Sequence, residues 1–289
     1  MNFPHIVLAH FLLALLRLPT VNADTMLHRF CGSTGNYTAN TTYGFNLQTL
    51  LTNLTTGAAN SSTKFGFSKR TVGSIPSEIF GLALCRGDVS NSVCYSCLSQ
   101  ATQDIQNLCP YNKESTIYYD FCLLRFSNQN FIFSTDNSRQ YLKWNNLNTT
   151  GSHALFDSYV HYLMTTTANY AAFNSSKKFG TAQLNQSEAF PRIYGLAQCT
   201  PDMSDSDCAS CLNALVGEMP KWFSGKIGAR ILGVRCNIRY EIYSFYSGAS
   251  MLSLTAPTEN APAPAPVITL TPPRTNSSDQ GLETIIKFI

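Results

Sequence analysis

Cys85-Arg86-Gly87-Asp88-Val89-Ser90-Asn91-Ser92-Val93-Cys94-Tyr95-Ser96-Cys97-Leu98 and Cys199-Thr200-Pro201-Asp202-Met203-Ser204-Asp205-Ser206-Asp207-Cys208-Ala209-Ser210-Cys211-Leu212 are one motif written twice. Both read C-x8-C-x2-C-L and lie 114 residues apart. The same offset carries Asn60-Ser61-Ser62 onto Asn174-Ser175-Ser176, Lys64-Phe65-Gly66 onto Lys178-Phe179-Gly180, and Gly81-Leu82-Ala83 onto Gly195-Leu196-Ala197. It also carries Cys122 onto Cys236 and Arg125 onto Arg239. An ungapped repeat of this length predicts two tandem domains of about 110 residues, each large enough for its own core.

Working outward, each copy has the same coarse pattern. Leu47, Leu50, Leu51 and Leu54 fall at helical spacing, as do Phe156, Val160, Leu163 and Met164. A second helix carries Cys94, Cys97, Leu98, Ala101, Ile105 and Leu108 on one stripe, matched by Cys208, Cys211, Leu212, Leu215 and Met219. Ser204-Asp205-Ser206-Asp207 has the form of a capping box. The rest reads as strands, notably Ile79 to Cys85 and the run Ile231 to Tyr246. Helices set between groups of strands predict α+β modules built on antiparallel sheets.

The ends differ from the middle. Residues 1–23 read as a secretory signal, with an apolar stretch from Ile6 to Leu16 and small residues before a cleavage point after Ala23. Pro257 to Pro273 holds six prolines, including the Ala-Pro run from Ala261 to Pro266, and reads as a semi-rigid stalk. Ile285 to Ile289 is apolar but too short for a membrane span. The divisions expected are therefore a signal over 1–23, modules over 24–138 and 139–250, and a disordered Pro-rich tail over 251–289.

Only 13% of the 289 residues are charged, about half the roughly 25% of ordinary soluble domains, and the net charge is +3. So weak a charge argues against a nucleic-acid partner, which calls for a concentrated basic face. Hydration is expected instead from Asn, Ser and Thr, and from glycans at the sequons of Asn36, Asn40, Asn53, Asn60, Asn148, Asn174, Asn185 and Asn276.

Export turns the 10 cysteines into disulfide partners. The first copy has Cys31, Cys85, Cys94, Cys97, Cys109 and Cys122; the second has Cys199, Cys208, Cys211 and Cys236. The offset lands Cys31 on Asn145 and Cys109 on Phe223. Losing both halves of one bridge leaves no orphan thiol, so Cys31 is expected to pair with Cys109. The four shared cysteines allow three pairings. Cys94 and Cys97 sit one helical turn apart, which disfavours bonding them to each other. Of the remaining pairings we take Cys85–Cys94 with Cys97–Cys122, and Cys199–Cys208 with Cys211–Cys236. Without the extra bridge, the second module must hold its first strand by packing, with Trp144 and Trp222 as candidates.

Catalytic and metal chemistry find little support. C-x8-C-x2-C lacks the paired spacing of a zinc ribbon, and a redox dithiol at Cys94-Tyr95-Ser96-Cys97 conflicts with outside partners for both thiols. His28, His153 and His161 lie far in sequence from the repeated cysteines, and the carboxylates form no repeated pair. No cofactor and no metal are implied. A duplicated, stapled, exported module reads as a binding device.

The C-x8-C-x2-C spacing, the later Gly228-Ala229-Arg230, and Cys236-x-x-Arg239-Tyr240-Glu241 resemble the plant ginkbilobin-like, or salt stress response/antifungal, domain. The tandem arrangement before a proline stalk resembles cysteine-rich repeat secretory proteins and, equally, the ectodomains of cysteine-rich receptor-like kinases. The resemblance implies two helices on a five-stranded antiparallel sheet in each module, and it supports the bridges chosen above. It also implies mannose binding by an Asn, an Arg and a Glu. In the second copy these fall on Asn146, Arg230 and Glu241; in the first they fall on Gly32, Thr116 and Ser127, which cannot do the same work. The competing role for Arg230 and Glu241 is an ion pair across neighbouring strands.

The function expected is extracellular binding in plant defence or stress, with mannose-type carbohydrate as ligand of the second module. The alternative is protein–protein recognition by the ectodomain of a truncated receptor-like kinase. An apolar patch outside the inter-module contact would favour the alternative. The sequence carries no indication of oligomeric state.

Overall fold

The computed structural model describes residues 25–60, 66–185 and 191–256. The signal over 1–23, the Pro-rich run and Asn276 lie outside them. The first module runs β1 (Met26–Cys31), α1 (Thr42–Ala59), β2 (Phe67–Val72), β3 (Ile79–Cys85), α2 (Asn91–Leu108), β4 (Glu114–Tyr119) and β5 (Cys122–Ser127). The second repeats it as β6 (Tyr141–Trp144), α3 (His153–Asn169), β7 (Phe179–Asn185), β8 (Ile193–Cys199), α4 (Asp205–Phe223), β9 (Gly228–Leu232) and β10 (Cys236–Glu241), then adds β11 (Leu252–Thr255).

The first sheet has the order β1-β4-β5-β3-β2, antiparallel throughout. The second has the corresponding order β6-β9-β10-β8-β7, with β11 added parallel to β7. The α+β architecture is thus the expected one, corrected at one edge: the second sheet has six strands, and Leu252–Thr255 belong to it rather than to the tail. The run from Ile231 onward is also broken into a β9–β10 hairpin at Gly233-Val234-Arg235.

Each helix pair covers one face of its sheet. Leu47, Leu50, Leu51 and Leu54 of α1 pack with Leu98, Ala101 and Ile105 of α2 on Ile79, Ala83, Ile117 and Leu124. In the second module Phe156, Leu163 and Met164 meet Leu212, Leu215 and Met219 over Ala197, Ile231 and Ile238. Ser90, Ser152 and Ser204 cap α2, α3 and α4 by accepting the N–H three residues on. The capping box at Ser204 is half formed: Asp207 takes the Ser204 hydroxyl at 2.6 Å.

All ten cysteines are paired, as Cys31–Cys109, Cys85–Cys94, Cys97–Cys122, Cys199–Cys208 and Cys211–Cys236. Four of these bridges tie a helix to a strand or its end, and Cys31–Cys109 ties β1 to the end of α2. Where the second module lacks that bridge, Trp144 of β6 packs on Phe223, ring centroids 6.0 Å apart. Phe223 is buried and stands where Cys109 stands in the first copy; Trp222 is exposed and plays no such part.

Candidate functional site

The two modules lie in one compact unit ending at Ala256. The sheet faces turned away from the helices meet each other. Along β3, alternate residues Ile79, Ala83 and Cys85 face the helices, while Leu82 and Leu84 join Phe67, Tyr118 and Leu123 around Val234 of the second module. Gly87 of the first module lies so close to the Phe179 ring of the second that a Cβ there would stand 2.4 Å from it. Gln198 donates to the Cys85 carbonyl at 3.0 Å across the same seam.

The polar centre of this seam contains Arg230 and, through Arg239, Glu241, two of the three residues singled out for sugar binding. Gly228, Arg230 and Leu232 alternate with Ala229 and Ile231 along β9, and Arg230 sits opposite Arg239 of β10. Two guanidiniums facing each other need a shared anion, and the first module supplies it: Asp120, in the β4–β5 turn, accepts from Arg230 and, at 3.1 Å, from Arg239. Arg86 of the first module adds a third guanidinium at 3.2 Å and is itself held by Asp88 at 2.6 Å. Burial alone would raise the Asp120 pKa; Arg230 and Arg239, with Arg86, outweigh it and hold the carboxyl below its ordinary value.

Glu241 is buried and pairs with Arg239 at 3.0 Å, not with Arg230. Gly228 opposite it makes room, since a Cβ there would fall 1.8 Å from its carboxylate. Asn146 is exposed just beyond β6, where the preceding Asn145 N–H donates to the Gly228 carbonyl at 2.8 Å. The three residues therefore share one corner of the second sheet, but Arg230 and Glu241 already have partners. The cavity beside Arg230, Arg239 and Asp120 measures about 40 Å³, far below the ~300 Å³ at which small-molecule sites begin.

In the first module the corresponding corner is filled. A Cβ on Gly32 would stand 2.6 Å from the Glu114 side chain, and buried Glu114 pairs with Arg125 at 3.0 Å and Arg139 at 2.8 Å. Thr116 and Ser127 are fully covered. Asp120 had no signal of its own in the sequence, because a lone carboxylate in a turn reads as solvated, and Arg239 stood out only as the repeat partner of Arg125 and as part of the Cys236-x-x-Arg239-Tyr240-Glu241 motif.

Among the described residues no group of three or more His, Cys, Asp or Glu could hold a metal ion, and no helix is long and apolar enough to cross a membrane. The exposed sequon residues are Asn36, Asn40, Asn53, Asn60, Asn148 and Asn174. Asn185 is half-buried in β7, its amide within 3.4 Å of Ser253 on β11.

The profile of the family described as salt stress response/antifungal matches residues 30–129 and again 143–243. An antimicrobial ginkbilobin-2-like protein of Castanea crenata is 39% identical over 81% of this chain and 95% of its own length. Cysteine-rich receptor-like protein kinase 10 of Oryza sativa is 43% identical over 85% of this chain; this chain spans 38% of that kinase and 33% of the rice cysteine-rich receptor-like protein kinase 6. The crystal structure of the tandem DUF26 ectodomain of PDLP8, a cysteine-rich receptor-like protein of Arabidopsis thaliana, superimposes with a TM-score of 0.62 at 26% identity, covering 78% of this chain and 100% of that one. With the repeat, the paired sheets and the profile falling on the same two segments, the chain belongs to the salt stress response/antifungal family, as two of its domains in tandem.

Proposed function

We propose that this chain works outside the plant cell, in the apoplast, as a non-enzymatic recognition protein of defence or stress signalling, and that it binds another extracellular protein through the second module. The observation that carries this reading is an apolar corner around the end of α4. Trp144, Leu147 and Trp222 are all exposed there, beside buried Phe223 and the 224–227 turn, whose Ile227 N–H donates to the Leu147 carbonyl. Exposed aromatic anchors grouped on one rigid support are the usual core of a protein-binding surface. The likeness to receptor-like ectodomains supports the same class of partner.

Mannose-type carbohydrate recognition by Asn146, Arg230 and Glu241 is the second reading, favoured by their meeting at one sheet corner. A screen of the secreted chain against plant ectodomains, run beside mannose calorimetry, separates the two. The first reading expects ectodomain partners whose binding falls at least tenfold in Trp222→Ser and Leu147→Ser. Mannose binding abolished by Arg230→Ala with Glu241→Ala, and no ectodomain signal, would replace it with the second.

A further inference from the structure

An open cleft lies away from both the seam and the apolar corner. It measures about 240 Å³ and runs between the segment joining the modules and the first half of α4. Thr135, Asn137 and Gln140 stand on one wall, Asp207, Ser210 and Ala214 on the other, and the less exposed Cys211 and Leu215 line its base.

Both walls are fixed. On the joining segment, Asn137 donates to the Cys236 carbonyl at 3.1 Å and accepts from the Arg235 and Cys236 N–H groups at 2.8 and 3.3 Å, tying the segment to the β9–β10 hairpin loop. Two residues on, Arg139 is anchored to buried Glu114 at 2.8 Å. The α4 wall is held by Cys199–Cys208 and Cys211–Cys236. A cleft between two anchored walls needs little ordering when a ligand enters, which lowers the cost of binding.

Its chemistry narrows the ligand. The lining offers two hydroxyls, the amide of Gln140 and one carboxylate, the Asn137 amide being taken up by Arg235 and Cys236, with no Lys, Arg or His and no aromatic ring. An anion would meet only Asp207, and a flat aromatic ligand would find nothing to stack on. Hydroxyl-bearing rings suit it: the carboxylate and the Gln140 amide pair with hydroxyls, while exposed Ala214 meets the C–H face. The volume, about 240 Å³, lies near the ~300 Å³ lower end of small-molecule sites, which suits a ligand no larger than one ring. No sequon falls on α4 or on residues 131–140, so no glycan of the protein itself is rooted beside the opening.

We propose that this cleft binds one monosaccharide unit of a neutral glycan. From Cys211 at its base to Trp222 is about 16 Å along α4 at ~1.5 Å per residue, so it can fail or hold independently of protein recognition at the apolar corner.

The test is a neutral-glycan array followed by saturation-transfer NMR with the methyl glycosides of the hits, on the secreted chain. Ala214→Trp and Ser210→Trp fill the cleft from exposed helix positions, and an unchanged melting temperature shows that they fold. The expected result is binding of a neutral glycan that weakens at least tenfold in both variants and stays within twofold in Arg230→Ala with Glu241→Ala. A silent array, binding indifferent to both tryptophans, or loss only in the Arg230/Glu241 pair overturns it.

Discussion

Asp120 of the first module and Arg239 of the second meet at 3.1 Å, and through that contact the turn of one domain organises the sheet of the other. Arg239 and Arg230 are register partners on adjacent strands, so without Asp120 two like charges would face each other in a largely covered seam. Val234, which occupies the matching turn of the second module, reaches back among Leu82, Leu84 and Leu123 instead. The two matching turns thus reach across the seam in different ways, one through charge and one through apolar packing.

Removing that charge is expected to loosen the seam in a pH-dependent way. Breaking a buried pair costs ~3–5 kcal/mol; Asp120 keeps about a quarter of its side chain exposed, which brings the expectation for Asp120→Asn to roughly 2 kcal/mol. Its folded pKa lies below the unfolded value near 3.9, so the stabilisation is complete above that pH and lost as pH falls through the folded value. Melting curves of both proteins from pH 7 downward should keep a constant gap to about pH 4 and converge below it. Curves that stay parallel below pH 4 would refute the assignment.

Gly87→Ala probes the apolar side of the seam. The added Cβ would press on the Phe179 ring, which is itself buried against Leu196 and Tyr246. Overpacking of this kind costs about 1–3 kcal/mol. The same substitution at Gly217, where no atom lies within 4 Å, is expected to leave stability unchanged or raise it slightly, since it removes a glycine from a helix interior. Denaturant titration of the two variants checks the contrast.

Phe223 and Trp222 make a second contrast, between a residue that replaced a bridge and its neighbour. Phe223→Ala empties the position that Cys109 holds in the first module and removes the support of Trp144, a loss of about 3–5 kcal/mol. Trp222→Ala is expected to change stability by no more than ~0.5 kcal/mol. Equal effects in thermal unfolding would mean that the first strand of the second module is held some other way.

Much of this architecture is legible in the chain because its two periodicities are clean. The leucines of α1 and the stripe of α2 recur at helical spacing, and the 114-residue offset transfers every assignment from one module to the other. The seam was also signalled, by Ile79 to Cys85: a strand apolar at every position must be buried on both faces, and helices can cover only one. The Asp120 cluster was not, because Asp120 and the three arginines around it come from four separate segments, and the residues that join them, unlike the local pairs Arg86–Asp88 and Arg239–Glu241, lie far apart in sequence. The residues that the resemblance assigns to mannose fall on β9, on β10 and just beyond β6, but the partners of Arg230 and Arg239 across the seam come from the other module, which no pattern within one repeat can supply.

The sixth strand gives the last test. Leu252 and Leu254 pack on the second core, Ser253 accepts from Gln183 at 3.2 Å, and β11 pairs along β7 from Ala182 to Asn185. Four residues beside a proline run carry too short an alternation to read as a strand, yet removing them exposes the β7 edge together with Leu184. A chain ending at Ala256 should therefore melt like the full protein, whereas one ending at Ser250 should lose roughly 2 kcal/mol, from two half-buried leucines at ~1 kcal/mol each. Because β11 also covers the Asn185 amide, the shorter chain should carry more glycan at Asn185 by glycopeptide mass spectrometry. Identical melting and identical occupancy in the two chains would show that β11 contributes nothing to the fold, and would return residues 251–256 to the tail.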